Sequence, residues 1–224
     1  MTDFVQLSRE QILAALRAED GQGISAHTRD EMAIPSYLHT NPLIRWLMWR
    51  RYRVVARMVA GGSHAAVLEF GCGIGLFLPT LARMAPSVYA VDLFPQFARQ
   101  LARELALPVT FVDQVDDVPD GSLDVIVAAD VLEHIEDVES YMRLFRRKLA
   151  ARGRLIVSGP TENVLYKIGR VAAGFAGKGD YHVTNINRLV GRIQASGFRA
   201  RRERSLPLPF PLQLFRIIEF EAEE

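Results

Sequence analysis

Ala65-Ala66-Val67-Leu68-Glu69-Phe70-Gly71-Cys72-Gly73-Ile74-Gly75 is the stretch from which the rest of the chain can be read. A short apolar run closed by glycines predicts a buried strand that turns sharply into a helix, expected over about 76–84. Glycines at such a turn allow positive φ and let backbone approach a ligand closely. The following helix offers unpaired N–H groups at its start. A dinucleotide site of the G-x-G-x-x-G type would need glycine at position 76, and leucine stands there. The spacing is G-x-G-x-G, with an acidic residue two positions ahead.

Downstream of this turn, strands and helices alternate. Strands are predicted at 87–92, 108–113, 123–129 and 153–158. Helices are predicted at 95–105 and from Asp137 onward, where Val138, Tyr141, Met142, Phe145 and Leu149 recur at helical spacing. That order predicts βαβ units and a parallel sheet with right-handed connections. Past residue 160 the pattern loosens, with helices at 161–175 and 187–196 and two strands at 198–205 and 215–222. The prolines at 207, 209 and 211 exclude a helix or central strand between those strands. Upstream, Ser8 and Gln11 have capping-box spacing for a helix over 9–19. Residues 24–40 read as loop, and Asn41-Pro42 starts a helix ending at Gly61-Gly62. The expected fold is α/β: a Rossmann-like, doubly wound, mainly parallel seven-stranded sheet with a C-terminal antiparallel hairpin. An N-terminal helical cover (1–62) joins a main domain (63–224) in one compact domain overall.

Taken with the strand ends, the turn resembles that of class I S-adenosylmethionine-dependent methyltransferases. The likeness is to small-molecule members with an Asp-x-x-Glu-His segment after the fourth strand, here Asp130-Val131-Leu132-Glu133-His134. It implies a cofactor, S-adenosyl-L-methionine, whose positively charged amino end is held by Glu69. Gly71, Gly73 and Gly75 would wrap its carboxypropyl and ribose parts, with Cys72 a small spacer in the same cofactor-binding turn. Asp92 would accept the ribose hydroxyls and Leu93 would pack on the adenine. Asp113 or Gln114 would meet the adenine amino group, and Asp130 would complete the set. Glu69, Asp92, Asp113 and Asp130 each end or follow a predicted strand on one edge of the sheet, where parallel α/β folds bind ligands. That agreement across elements carries more weight than any single motif.

The implied reaction is in-line methyl transfer to a small-molecule or lipid-like acceptor, at oxygen. His134 is the candidate base, since its pKa range suits proton transfer. Tyr37, Tyr166, Tyr181 and His182 are candidate acceptor contacts, because segments added over a scaffold's ligand edge usually set specificity. Asp130, Glu133 and His134 also outline a Glu-x-x-Glu-His metal site with His182 as a distant fourth ligand. Asp in the first place and the same segment in metal-free relatives favour no metal. Two other readings stand beside the enzyme: a non-catalytic cofactor-binding relative and a protein methyltransferase.

Composition narrows the partners. The chain has 224 residues, 27 basic against 26 acidic, and a formal charge of +1, so no nucleic-acid partner is expected. The single cysteine excludes an intramolecular disulfide and a cysteine-only metal cluster. No signal peptide is expected in the first 18 residues, which include Asp3 and Glu10 and lack a basic start with an apolar core. A spanning helix needs ~20 apolar residues, which nothing here supplies. A cytoplasmic protein is expected. The helix over 45–58 carries Arg45, Arg50, Arg51, Arg53 and Arg57 among Trp46, Leu47, Met48 and Trp49. Peripheral membrane contact is one reading of it. The commoner use of such a stripe, and the favoured one, packs the aromatics inward and leaves the arginines solvated.

Overall fold

The computed structural model describes residues 4–16, 34–62, 64–172 and 183–223. Contacts divide the chain into two compact units, Met1–Val118 and Pro119–Glu224.

In the first unit, α1 (Arg9–Ala15) begins at the predicted capping box. The Gln11 backbone N–H donates to Ser8 Oγ at 3.2 Å, and the Ser8 N–H donates to Gln11 Oε1 at 2.9 Å. The remainder of the predicted 9–19 helix beyond Leu16 lies outside the described residues. Within the stretch read as loop, Ile34–Leu38 is a short helix, α2. Pro35 suits a first helical turn, and five residues are too few to show a hydrophobic period. Helix α3 (Pro42–Val59) is capped by Asn41, whose side chain accepts from the Leu43 N–H. It buries Met48, Trp49, Tyr52, Val55 and Val59 along one side.

Strand β1 (Ala66–Phe70) is buried at every position, as a strand covered on both faces must be. It pairs in parallel with β2 (Ser87–Val91), and β2 pairs in parallel with β3 (Val109–Phe111). The helix predicted at 76–84 is regular only over Leu78–Leu81 (α4), with looser turns on either side. Pro79 sits in its first turn, and the preceding glycine turn uses up the residues that would extend it. Helix α5 (Gln96–Glu104) buries Phe97, Ala98, Leu101 and Ala102.

The second unit holds β4 (Leu123–Ala129), α6 (Val138–Lys148), β5 (Leu149–Pro160), α7 (Val164–Ala172), α8 (Ile186–Ala195), β6 (Phe198–Pro207) and β7 (Gln213–Ala222). Asp137 caps α6 by accepting from the Ser140 N–H at 3.0 Å. Strand β5 is longer than predicted, beginning directly where α6 ends. It runs parallel to β4 and antiparallel to β7, which in turn pairs antiparallel with β6. The strands follow the order β3-β2-β1-β4-β5-β7-β6, a seven-stranded mixed sheet with the expected antiparallel C-terminal hairpin. Among the described residues no helix is long and apolar enough to cross a membrane.

Candidate functional site

The glycine turn begins where β1 ends. Gly71, Gly73 and Gly75 all have positive φ, at 73°, 52° and 80°. At Gly75 a side chain is excluded twice over, by that φ and by crowding. A Cβ there would lie 3.1 Å from the Ala98 Cα and 3.0 Å from Leu78 Cδ1. At Gly73 a Cβ would meet nothing within 4 Å, so this part of the turn faces open space.

Asp92 fixes the turn from the end of β2. Its Oδ2 accepts the Gly73 N–H at 2.7 Å and its Oδ1 accepts the Phe94 N–H at 2.9 Å. The Gly71 and Cys72 N–H groups donate to the Val91 carbonyl at 2.9 and 3.2 Å. The glycine turn and Asp92, each expected separately to meet the cofactor, are thus joined to one another by a hydrogen bond. The Cys72 thiol is buried, and burial raises its pKa well above the usual range, followed by the charges of Glu69 and Asp92. A thiol held protonated suits a spacer, not a nucleophile.

Glu69 lies within β1, 2% exposed, with its Oε2 buried and lacking a hydrogen-bond partner. Burial drives its pKa well up, and the nearby Asp92 charge adds to the rise. A carboxylate without a hydrogen bond on one oxygen and beside a second carboxylate is a place where a cation would be stabilised strongly.

One residue of this neighbourhood was not singled out from the sequence. Arg51, grouped there among solvated arginines, is 2% exposed. Its Nη2 donates to the Tyr37 hydroxyl at 2.7 Å. Tyr37 stacks on Tyr52 at 5.7 Å between ring centroids, and Tyr52 stacks on Phe77, just past the glycine turn, at 5.0 Å. Burial raises the pKa of both phenols; Arg51 opposes the rise and Glu69 adds to it. A buried guanidinium and a buried carboxylate thus act on the same pair of rings. The signal was present in the helix period, because Arg51 falls among Met48, Tyr52 and Val55 on the face that packs inward. Tyr37 itself is part of this aromatic core.

Leu93, directly after Asp92, is 90% exposed, and Asp113 and Gln114 are exposed just beyond β3. The Gln114 N–H donates to Asp117 Oδ2 at 3.1 Å, which starts a short 3-10 turn.

In the second unit, Asp130 follows β4 with φ of 55°, a left-handed conformation that costs energy for a residue other than glycine. Its N–H donates to the Ser158 carbonyl at 2.8 Å. Leu132–His134 forms a 3-10 turn in which Glu133 is buried and His134 partly exposed. The Glu133 carbonyl accepts from the Val183 and Thr184 N–H groups at 2.9 and 3.2 Å. Tyr166 sits on α7, its ring edge-on to Phe215 at 5.9 Å. Tyr181 and His182 lie outside the described residues. Among the described residues, no three His, Cys, Asp or Glu side chains are grouped to hold a metal ion.

A family model described as a methyltransferase domain matches residues 44–202. A ubiquinone biosynthesis O-methyltransferase from Xanthomonas oryzae pv. oryzae (strain PXO99A) is 35% identical over 112 residues, covering 47% of this chain and 46% of that protein. The chain thus spans about half the length of the curated relatives it matches. Among solved structures, the N-methyltransferase NodS from Bradyrhizobium japonicum WM9, in complex with S-adenosyl-L-homocysteine, superposes with a TM-score of 0.65. That match has 17% identity and covers 88% of this chain and 97% of NodS. Magnesium protoporphyrin IX methyltransferase from Synechocystis PCC 6803 gives a TM-score of 0.62 at 20% identity, covering 96% of this chain and all of that one. At these identities the two structures show a shared fold.

Proposed function

Because the chain belongs to the methyltransferase-domain family, the class I S-adenosylmethionine-dependent methyltransferases, we propose that it methylates an oxygen of a small-molecule or lipid-like acceptor. The carrying observation is Glu69, a buried carboxylate with one oxygen lacking a hydrogen-bond partner, set against a hydrogen-bonded glycine turn. The residues fit the cofactor chemically. Glu69 takes the ammonium of its amino-acid end and Arg51 takes the carboxylate, so two buried charges meet two complementary ones. Asp92 has lone pairs left on both carboxylate oxygens for ribose hydroxyls. The exposed face of Leu93 covers the adenine, and Asp113 or Gln114 accepts from its amino group. Asp130 completes the set.

S-adenosylmethionine, when bound, supplies a methyl group on a sulfonium centre, which needs no acid to leave. The protein's work is then alignment of the acceptor and exclusion of water. His134 accepts the acceptor hydroxyl's proton and passes it to solvent, as a partly exposed imidazole can. Tyr37, Tyr166, Tyr181 and His182 remain the candidates for shaping acceptor choice, Tyr37 from within the aromatic core. Oxygen as the methylated atom is supported by the O-methyltransferase names of the relatives matched in sequence. The test is mass spectrometry of a metabolite and lipid extract incubated with the protein and cofactor bearing an isotopically labelled methyl group. A product heavier by one labelled methyl is expected, carried on oxygen as a methyl ester that mild base cleaves or as a methyl ether that only strong acid cleaves. Label on nitrogen would overturn the oxygen assignment, and no labelled product would overturn the activity.

A further inference from the structure

Tyr37 is buried on α2, while its neighbours Pro35, Ser36 and Leu38 are partly exposed. Its ring is fixed by other rings of the first unit. It lies edge-on to Trp49 with centroids 5.2 Å apart and stacks on Tyr52 at 5.7 Å. Those contacts need the ring and not the hydroxyl. A buried tyrosine hydroxyl ordinarily finds a hydrogen-bond partner. Here the oxygen accepts from Arg51 Nη2 at 2.7 Å, and both side chains are buried.

The choice of partner matters for Arg51. A carboxylate in the place of Tyr37 would fix the guanidinium and offset its charge. Burial keeps the Tyr37 phenol neutral by raising its pKa, so this contact orients the guanidinium and leaves its charge in place. A guanidinium is a planar fork of five donors, and the Tyr37 bond uses one of them. The Tyr52 ring lies against its face, with the Arg51 Cζ 5.4 Å from the ring centroid. An oxygen at the edge and a ring at the face together set the plane of the fork. Helix α3 itself has separate anchors. Asn41 caps it, Arg53 Nη2 donates to Gln6 Oε1 at 2.7 Å, and Phe4 packs edge-on to Trp49 at 6.2 Å. Losing the Tyr37 hydroxyl therefore releases the guanidinium and keeps the helix.

We propose that Tyr37 is a positioning residue for the cofactor, its hydroxyl holding the Arg51 guanidinium in the orientation that receives the carboxylate of S-adenosylmethionine. The proposal rests on the reading of Arg51 given above. It makes the five-residue helix α2 part of the cofactor site, whichever acceptor is used. An arginine fixed before the ligand arrives does not lose its rotamer freedom on binding, and the ligand is held more tightly for it.

The experiment is calorimetric titration of the full chain with S-adenosylhomocysteine and with adenosine, which lacks the amino-acid end. Tyr37→Phe keeps the ring and removes only the oxygen. It should raise the Kd for S-adenosylhomocysteine about 2- to 10-fold, the effect of one side chain left to be ordered on binding. Its Kd for adenosine should stay at the wild-type value, which also shows that the variant is folded. Added to Arg51→Met, Tyr37→Phe should cause no further loss, because the two residues act as one unit. Equal losses for both ligands would make the hydroxyl a merely structural group and overturn the proposal. Wild-type affinity of Tyr37→Phe for S-adenosylhomocysteine would overturn it too, as would a further loss in the Arg51→Met background. If Arg51→Met loses both ligands alike, the carboxylate assignment fails and the proposal with it. If Arg51→Met is selective and Tyr37→Phe is not, only the role of Tyr37 is removed.

Discussion

Replacing Glu69 by Gln should move stability and ligand affinity in opposite directions. The side chain is isosteric, so packing in β1 is kept while the charge is removed. In the unliganded protein, Glu69 is buried, its Oε2 lacks a hydrogen-bond partner and Asp92 faces it. A buried polar group without its bond costs about 1–3 kcal/mol, and more when charged. The variant should therefore be more stable at neutral pH, by about 2–4 °C in the unfolding midpoint per kcal/mol for a chain of this size. The pH dependence follows from the raised pKa. A carboxyl whose folded-state pKa lies above its unfolded value contributes stability at low pH, and that contribution is lost as pH rises through the folded pKa. The stability advantage of Glu69→Gln should thus be small near pH 4 and grow upward from there, the reverse of a salt-bridged carboxylate. Affinity for S-adenosylhomocysteine should fall. A hydrogen bond to a charged group contributes about 1.5–3 kcal/mol, which is roughly 10- to 150-fold in Kd. Thermal denaturation across pH and isothermal titration measure the two halves. A variant that is less stable at neutral pH and binds the ligand as wild type does would refute the reasoning, because Glu69 would then be a satisfied core residue.

Arg51→Met should weaken S-adenosylhomocysteine binding while leaving adenosine binding unchanged, since adenosine lacks the carboxylate; equal losses for both ligands would remove the carboxylate assignment. Gly75→Ala should lower the unfolding midpoint through about 1–2 kcal/mol of left-handed backbone strain plus ~1–3 kcal/mol of overpacking against Ala98. His134→Ala should cut kcat about 10²- to 10⁴-fold with cofactor affinity preserved. Turnover equal to wild type would show that His134 handles no proton. Asp137→Ala should cost about 1 kcal/mol of stability by removing the α6 cap, with no effect on ligand binding.

The parts that could be read from sequence are those fixed over a few residues. The Ser8–Gln11 box, the Asn41 and Asp137 caps and the β1–glycine turn depend on side chains reaching backbone nearby in the chain. The alternating strands and helices then fixed the fold class, because a parallel sheet with short connections admits few arrangements. The positions of Glu69 and Asp92 beside the glycine turn were also legible, since the turn fixes where β1 ends and β2 stops alongside it.

What needed the tertiary structure concerns which way a side chain faces once elements pack. Arg51 and Arg53 stand two residues apart on one helix, yet Arg51 is buried against Tyr37 while Arg53 is exposed. Composition gives both the same reading; only the packed face of α3 separates them. The short α2 helix has too few residues to show a period. The outward apolar face of α7, where Val164, Ile168 and Val171 are exposed, has the periodicity of a core helix and is legible as a surface only from its exposure. Sequence by itself showed the alternation of strands and helices and the placing of Glu69 and Asp92 beside the glycine turn, because local hydrogen bonding and hydrophobic period are properties of neighbouring residues. Burial is a property of what lies across from a residue, so the burial of Arg51 and the exposed face of α7 were decided by packing alone.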